Sequence, residues 1–247
     1  DSSGEPNGMI NEDARKLVNV PNLWGYPDID LALYQKIGQR LAASGITSTM
    51  EASLKEHDID LFAKWAKQSP LTHRMTVAFF ADFEDYRPSP DKPISIERLI
   101  SEFTAIQRRH KNVENLKIDT AKIFVDGVTE GNPHANPPAL PNAASLTDYL
   151  QPQFKVDANT QALEVIGYVD TESAACVELR HQADANLPTM SAKDFYAEQG
   201  FSPLQCRKFN GVYEREEIFI RDYTLALYDA GINVHSHAIG DRAVRLA

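Results

Sequence analysis

The chain has 247 residues, a formal net charge of −10, and 43% hydrophobic against 24% charged side chains. That length suits one large α/β domain or two smaller ones, and the composition excludes disordered, collagenous and coiled-coil classes. No apolar run reaches the ~18 residues of a membrane span, and the acidic balance argues against a nucleic-acid groove, which needs clustered Lys and Arg; the negative charge reads as a solvated surface.

Elements alternate along the front of the chain. Asp28 starts a helix to about Ser44, with Leu31, Tyr34, Ile37 and Leu41 on one stripe and Gly45 as its stop. Ile46 to Met50 reads as a strand. A helix over about Asp58 to Lys67 follows, then a β-branched and aromatic strand from Met75 to Phe80. Ile96, Leu99, Ile100, Phe103 and Ile106 give an amphipathic helix over Ser95 to Arg109, and the next strand ends in Ala121-Lys-Ile-Phe-Val-Asp-Gly127. Near the end, a helix over about Glu216 to Asp229 is closed by Gly231 and leads into a strand over Ile232 to His237.

Leu41-Ala-Ala-Ser-Gly-Ile-Thr and Leu227-Tyr-Asp-Ala-Gly-Ile-Asn share one grammar of helix, glycine stop and strand. Strands separated by helices of this length imply parallel βαβ units, and without a Gly-rich phosphate fingerprint they favour part of a (β/α)8 barrel over a dinucleotide-binding fold. The rhythm fails between Asn132 and Asn210. Pro133, Pro137, Pro138 and Pro141 mark an extended loop, and short mixed signals follow. The expected organisation is a partial barrel from 1–149 and 206–247 with an inserted lid-like subdomain over 150–205. Cys176 and Cys206 leave a single bridge and two free thiols both open.

The alternation of a strand puts Lys122 on one face with Phe124 and Asp126, and Ala121, Ile123 and Val125 on the other, small and apolar enough for covering helices. Lys122 would then point into the barrel, where burial favours the neutral amine; strand lysines ordinarily snorkel to the surface instead. His235 and His237 share a face at a strand end, ahead of a Gly240-Asp241 turn, so the pair suits metal ligation or acid/base work as well as hydrogen bonding in a core. Asp241 is placed to cap the next helix. Glu51 shares a face with Thr47 and Thr49 and would reach the same barrel mouth, and His134 lies on the loop after the lysine strand. His73 and His110 sit at amino ends of strands, the stability side of a barrel. Nucleophile elbows, phosphate loops, Cys-x-x-Cys and His-Glu-x-x-His are absent from the sequence.

Lys122-Ile-Phe-Val-Asp-Gly-Val followed by His237-Ala-Ile-Gly-Asp-Arg-Ala-Val resembles amidohydrolase family 3, which includes N-substituted formamide deformylases and exoenzyme regulatory proteins. The opening Asp1-Ser-Ser-Gly-Glu-Pro-Asn-Gly-Met and Ser44-Gly-Ile-Thr-Ser are similar too, and the resemblance spans the chain except about 142 to 208. It implies a metal-dependent (β/α)8 barrel that hydrolyses non-peptide C–N bonds of a small molecule. The lysine, matched by Lys122, would be carboxylated and bridge one or two divalent ions, zinc foremost, and His237 would ligate through a neutral nitrogen. A metal-activated water would attack the polarised carbonyl. His235 falls outside the family's ligand set, as a second-shell or substrate group with Asp126, Glu51 and His134.

By the same resemblance a His-x-His pair would precede Asp1, and a further histidine and the aspartate base would follow Ala247, so the chain is expected to be an internal fragment, inactive alone. The alternative is a non-catalytic regulatory or binding homologue of the same barrel. Cytoplasmic and periplasmic locations stay open, as do oligomeric state and substrate.

Overall fold

The computed structural model describes residues 31–131, 140–157, 159–160 and 162–247. In chain order these carry α1 (Leu31–Ala43), β1 (Ser48–Leu54), α2 (Glu56–Gln68), β2 (Arg74–Phe79), α3 (Ile96–His110) and β3 (Leu116–Phe124). Then come β4 (Pro152–Val156), β5 (Leu163–Tyr168), α4 (Ala174–Asp184), α5 (Ala192–Gln199), α6 (Glu217–Asp229), β6 (Asn233–His237) and α7 (Asp241–Leu246). No described helix is long and apolar enough to cross a membrane.

The chain divides into two compact units. One takes residues 31–125 and Arg215–His237, the other Asp126–Glu214 and Ala238–Ala247. The first is an α/β unit built on a parallel sheet of order β1-β2-β3-β6. Among the described residues this sheet is open, with β1 and β6 at its edges, and no closed barrel is formed.

Its core follows the expected periodicities. Leu99, Phe103 and Ile106 of α3 are buried, and Phe103 meets Phe79 of β2 at 5.8 Å between ring centroids. Val77 and Phe79, with Ala121 and Ile123 of β3, form the helix-covered face of the sheet, each at most 3% exposed. The Ser95 hydroxyl caps α3 by accepting from the Arg98 N–H. At its other end His110 is 5% exposed, with Nε2 2.7 Å from the Asp60 carboxylate of α2. His110 therefore ties two helices together.

The two similar junctions are the same physical object. Gly45 and Gly231 both have positive φ, and the following N–H groups, of Ile46 and Ile232, donate to Leu41 O and Leu227 O at 2.9 Å. These are Schellman caps, in which the residue after the glycine closes the helix end. That explains one displaced boundary. Ile46 serves the cap of α1, so β1 starts at Ser48 and continues through Glu51 to Leu54.

The second unit contains the antiparallel pair β4-β5, helices α4, α5 and α7, and a disulfide between Cys176 and Cys206. Ala143 and Ala144 are fully buried against two glycines that tolerate no side chain. A Cβ on Gly211, whose φ is +78°, would lie 1.8 Å from Ala143 O, and one on Gly240 would lie 1.9 Å from Ala144 O. Gly240 is the N-cap residue of α7. Asp241, expected as that cap, is instead the first helical residue, and its Oδ1 accepts from the Leu146 N–H at 2.7 Å.

Candidate metal centre

The face of the four-stranded sheet opposite its helices is set by alternation. Ala121 pairs with Phe79 on the helix side, so Lys122 and Phe124 point the other way. Lys122 is paired with His235 across the parallel register, and Phe124 with His237. Lys122, Phe124, His235 and His237 therefore share one face toward the carboxyl end of the sheet.

Lys122 is 6% exposed. Its Nζ sits 4.6 Å from the centroid of the Phe124 ring, which in turn lies 5.3 Å from the His237 ring. Phe80 meets Phe124 edge-on at 5.3 Å and closes the shelf. Alternation already puts Phe124 on the face of Lys122; Phe80, just after the neighbouring strand β2, is given no part in the site by the sequence. Burial lowers the pKa of Lys122 from the ordinary lysine value; the ring face favours the ammonium, but desolvation prevails. No carboxylate among the described residues compensates the amine.

His235 is half-buried, and its pKa is lowered first by desolvation and second by the positive charge of Lys122. In metal-free protein, Lys122→Met is expected to raise the His235 pKa toward the usual 6.5, read by NMR titration of the imidazole. An unchanged titration would mean that burial alone sets it.

The other proposed site residues lie elsewhere. Glu51 pairs with Val77, which puts it on the helix-covered face, opposite Lys122. There it lines a cavity of about 530 Å³ with Tyr34, Phe62, Trp65, Leu71 and Met75. The Tyr34 hydroxyl and His73 Nδ1 also belong to residues lining it, but both atoms are buried, without a hydrogen-bond partner among the described residues.

The Asp126 carboxylate, 1% exposed, is engaged within the second unit. Oδ2 accepts from the N–H groups of Ala144 and Gly240 at 2.8 Å each, and Oδ1 accepts from Ile239 at 3.0 Å. His134 lies outside the described residues.

No three His, Cys, Asp or Glu side chains converge in a metal-holding group among the described residues. The Lys122 face nevertheless suits part of a divalent-ion site. Two imidazoles stand beside a buried amine whose pKa burial lowers, which eases loss of its proton, and a neutral amine can take up carbon dioxide to become an oxygen donor.

No family profile matches the chain, and no curated protein matches it. Among solved structures it is similar to an uncharacterized metal-dependent hydrolase from Pyrococcus horikoshii OT3, at 13% identity and a TM-score of 0.45, over 95% of this chain and 32% of that one. The chain thus spans about a third of the length of that structure.

Proposed function

We propose that this chain is part of a metal-dependent hydrolase of amidohydrolase type, acting on non-peptide C–N bonds, in which Lys122 and His237 contribute to the metal centre. The observation that carries this reading is the buried Lys122 amine, without a compensating carboxylate among the described residues, beside two histidines at the carboxyl edge of a parallel sheet. The order of the Lys122 and His237 motifs supports it as well. In the whole protein the sheet would close into a (β/α)8 barrel, with residues 150–205 as a lid and a small amide or formamide as substrate.

Lys122, His237 and, at the margin, His235 are the groups that would hold the ion. When bound, a divalent ion such as zinc supplies Lewis acidity and lowers the pKa of a coordinated water. The neutral Nζ of Lys122 attacks carbon dioxide, a new N–C bond forms, and one proton leaves to solvent, giving a carbamate anion. Phe80 and Phe124 shield that group from bulk water, which strengthens its attraction to a cation. His237 would ligate through a neutral ring nitrogen, and burial disfavours the protonated form of the neighbouring His235.

The test is a 13C NMR spectrum of the whole chain in 13C-bicarbonate with and without zinc. A carbamate carbonyl resonance is expected that strengthens with zinc and vanishes in Lys122→Arg, whose guanidinium does not add carbon dioxide. Its absence under both conditions would remove Lys122 from the metal centre and leave the non-catalytic binding homologue as the better reading.

A further inference from the structure

Residues 151–206 form a module whose entry and exit are stitched together. Val169 N–H donates to Gln151 O and the Gln205 side-chain amide donates to Pro152 O, both at 2.8 Å. Just outside, the Tyr149 N–H donates to Phe209 O at 2.8 Å. What lies inside this neck is thinly packed. Its core among the described residues is Val169, Phe195, Phe201 and the two cysteines, with Ala175 and Leu179 partly buried against them.

Apolar side chains that a larger core would enclose are exposed instead: Ile166, Val177, Leu187 and Leu204 among them. A segment of this size ordinarily needs a staple, because its apolar burial barely offsets the entropy of ordering the chain. Cys176 and Cys206 supply it. Both sulfurs sit at the centre of the cluster, with the residues 0% and 1% exposed, and they close a loop of 30 residues. The Arg180 guanidinium reinforces the same closure by donating to Thr171 O at 2.6 Å and Cys206 O at 2.8 Å.

We propose that the 151–206 module keeps its fold only while the Cys176–Cys206 bridge is oxidised, so that the protein matures in an oxidising compartment and a thiol reductant unlocks this module selectively. The chemistry is ordinary exchange: two reductant thiols give up two electrons and two protons, the S–S bond breaks to two cysteine thiols, and the reductant leaves as its own disulfide. Removing a cross-link over such a loop raises the opening equilibrium about 100-fold or more. Structural bridges of this kind persist outside the reducing cytosol.

The test is hydrogen exchange of the whole chain read by mass spectrometry, before and after reduction with a phosphine and capping with iodoacetamide. Amides of α4 and α5 are expected to exchange about 100-fold faster after reduction, while those of α2, α3 and α6 keep their rates. A Cys176→Ser, Cys206→Ser double variant gives the same reading where the buried bridge resists the reductant. Unchanged exchange in α4 and α5 would overturn the proposal. So would equal loss of protection in all five helices, which would make the bridge a staple of the whole protein, or two free thiols in protein exported to an oxidising compartment.

Discussion

Asp126→Ala is expected to lower the unfolding free energy of the second unit by about 3–5 kcal/mol, measured by urea denaturation. The side chain is 1% exposed and accepts three backbone N–H groups, those of Ala144, Ile239 and Gly240, from two separate stretches of chain. Alanine leaves these donors without the acceptor that now meets them. Each orphaned donor costs on the order of 1–3 kcal/mol, and the costs overlap because the donors share one partner. Water cannot enter cheaply, since Gly240 and Ala144 are already in backbone contact. Asp126→Asn keeps one oxygen and sets an amide NH2 against a backbone donor, so it should lose roughly half as much. A loss under about 1 kcal/mol in the alanine variant would show that the amides find other partners.

Lys122→Met is expected to act in two opposite directions. If Lys122 is a ligand, as proposed, divalent-metal affinity should fall by at least about 100-fold, beyond the ~10–100-fold that follows loss of an outer-shell partner. Stability of the metal-free protein should instead rise, by about 1–2 kcal/mol, because a buried amine with no carboxylate beside it among the described residues gives way to a thioether of similar length. The pH dependence has a fixed sign. Burial lowers the folded-state pKa of Lys122 below 10.5, so between that lowered value and 10.5 the unfolded chain binds more protons and stability rises with pH. Below the lowered pKa both states are protonated and the cost is present in full. Lys122→Met should abolish this rise in denaturation profiles, and a variant less stable than the parent at neutral pH would show that the amine is compensated after all.

Much of the first unit was legible because its signals are local. The stripe of Ile96, Leu99, Phe103 and Ile106 reports a helix with one buried side, and the two glycine stops report Schellman caps, whose hydrogen bonds join residues five apart. The pairing of Lys122 with Phe124 on one side of β3, and of His235 with His237 on one side of β6, was also legible, since alternation assigns faces within each strand; that the two pairs share a face came from the β3–β6 register. Glu51 was not. Its face relative to Lys122 depends on the register of β1 on β2 and β2 on β3, including a shift between Val77 and Ala78 that no local pattern announces.

Asp126 shows the same limit from the other side. Alternation grouped it with Lys122, but its carboxylate answers to backbone amides of residues 144, 239 and 240, more than a hundred positions away in two cases. The cysteines likewise left pairing open until the fold brought Cys176 and Cys206 to a Cα separation of 5.0 Å.

The sequence by itself determined the α/β alternation, the glycine helix stops and which neighbours share the side of Lys122 in its strand and of His237 in its own, because hydrophobic periodicity and backbone stereochemistry act over a few residues. Only the tertiary structure decided which polar groups are buried and by what they are met. It closed the disulfide, committed Asp126 to three amides, turned Glu51 away and buried the Lys122 amine with no carboxylate to compensate it among the described residues, because desolvation and hydrogen bonding depend on chain segments that only folding brings together.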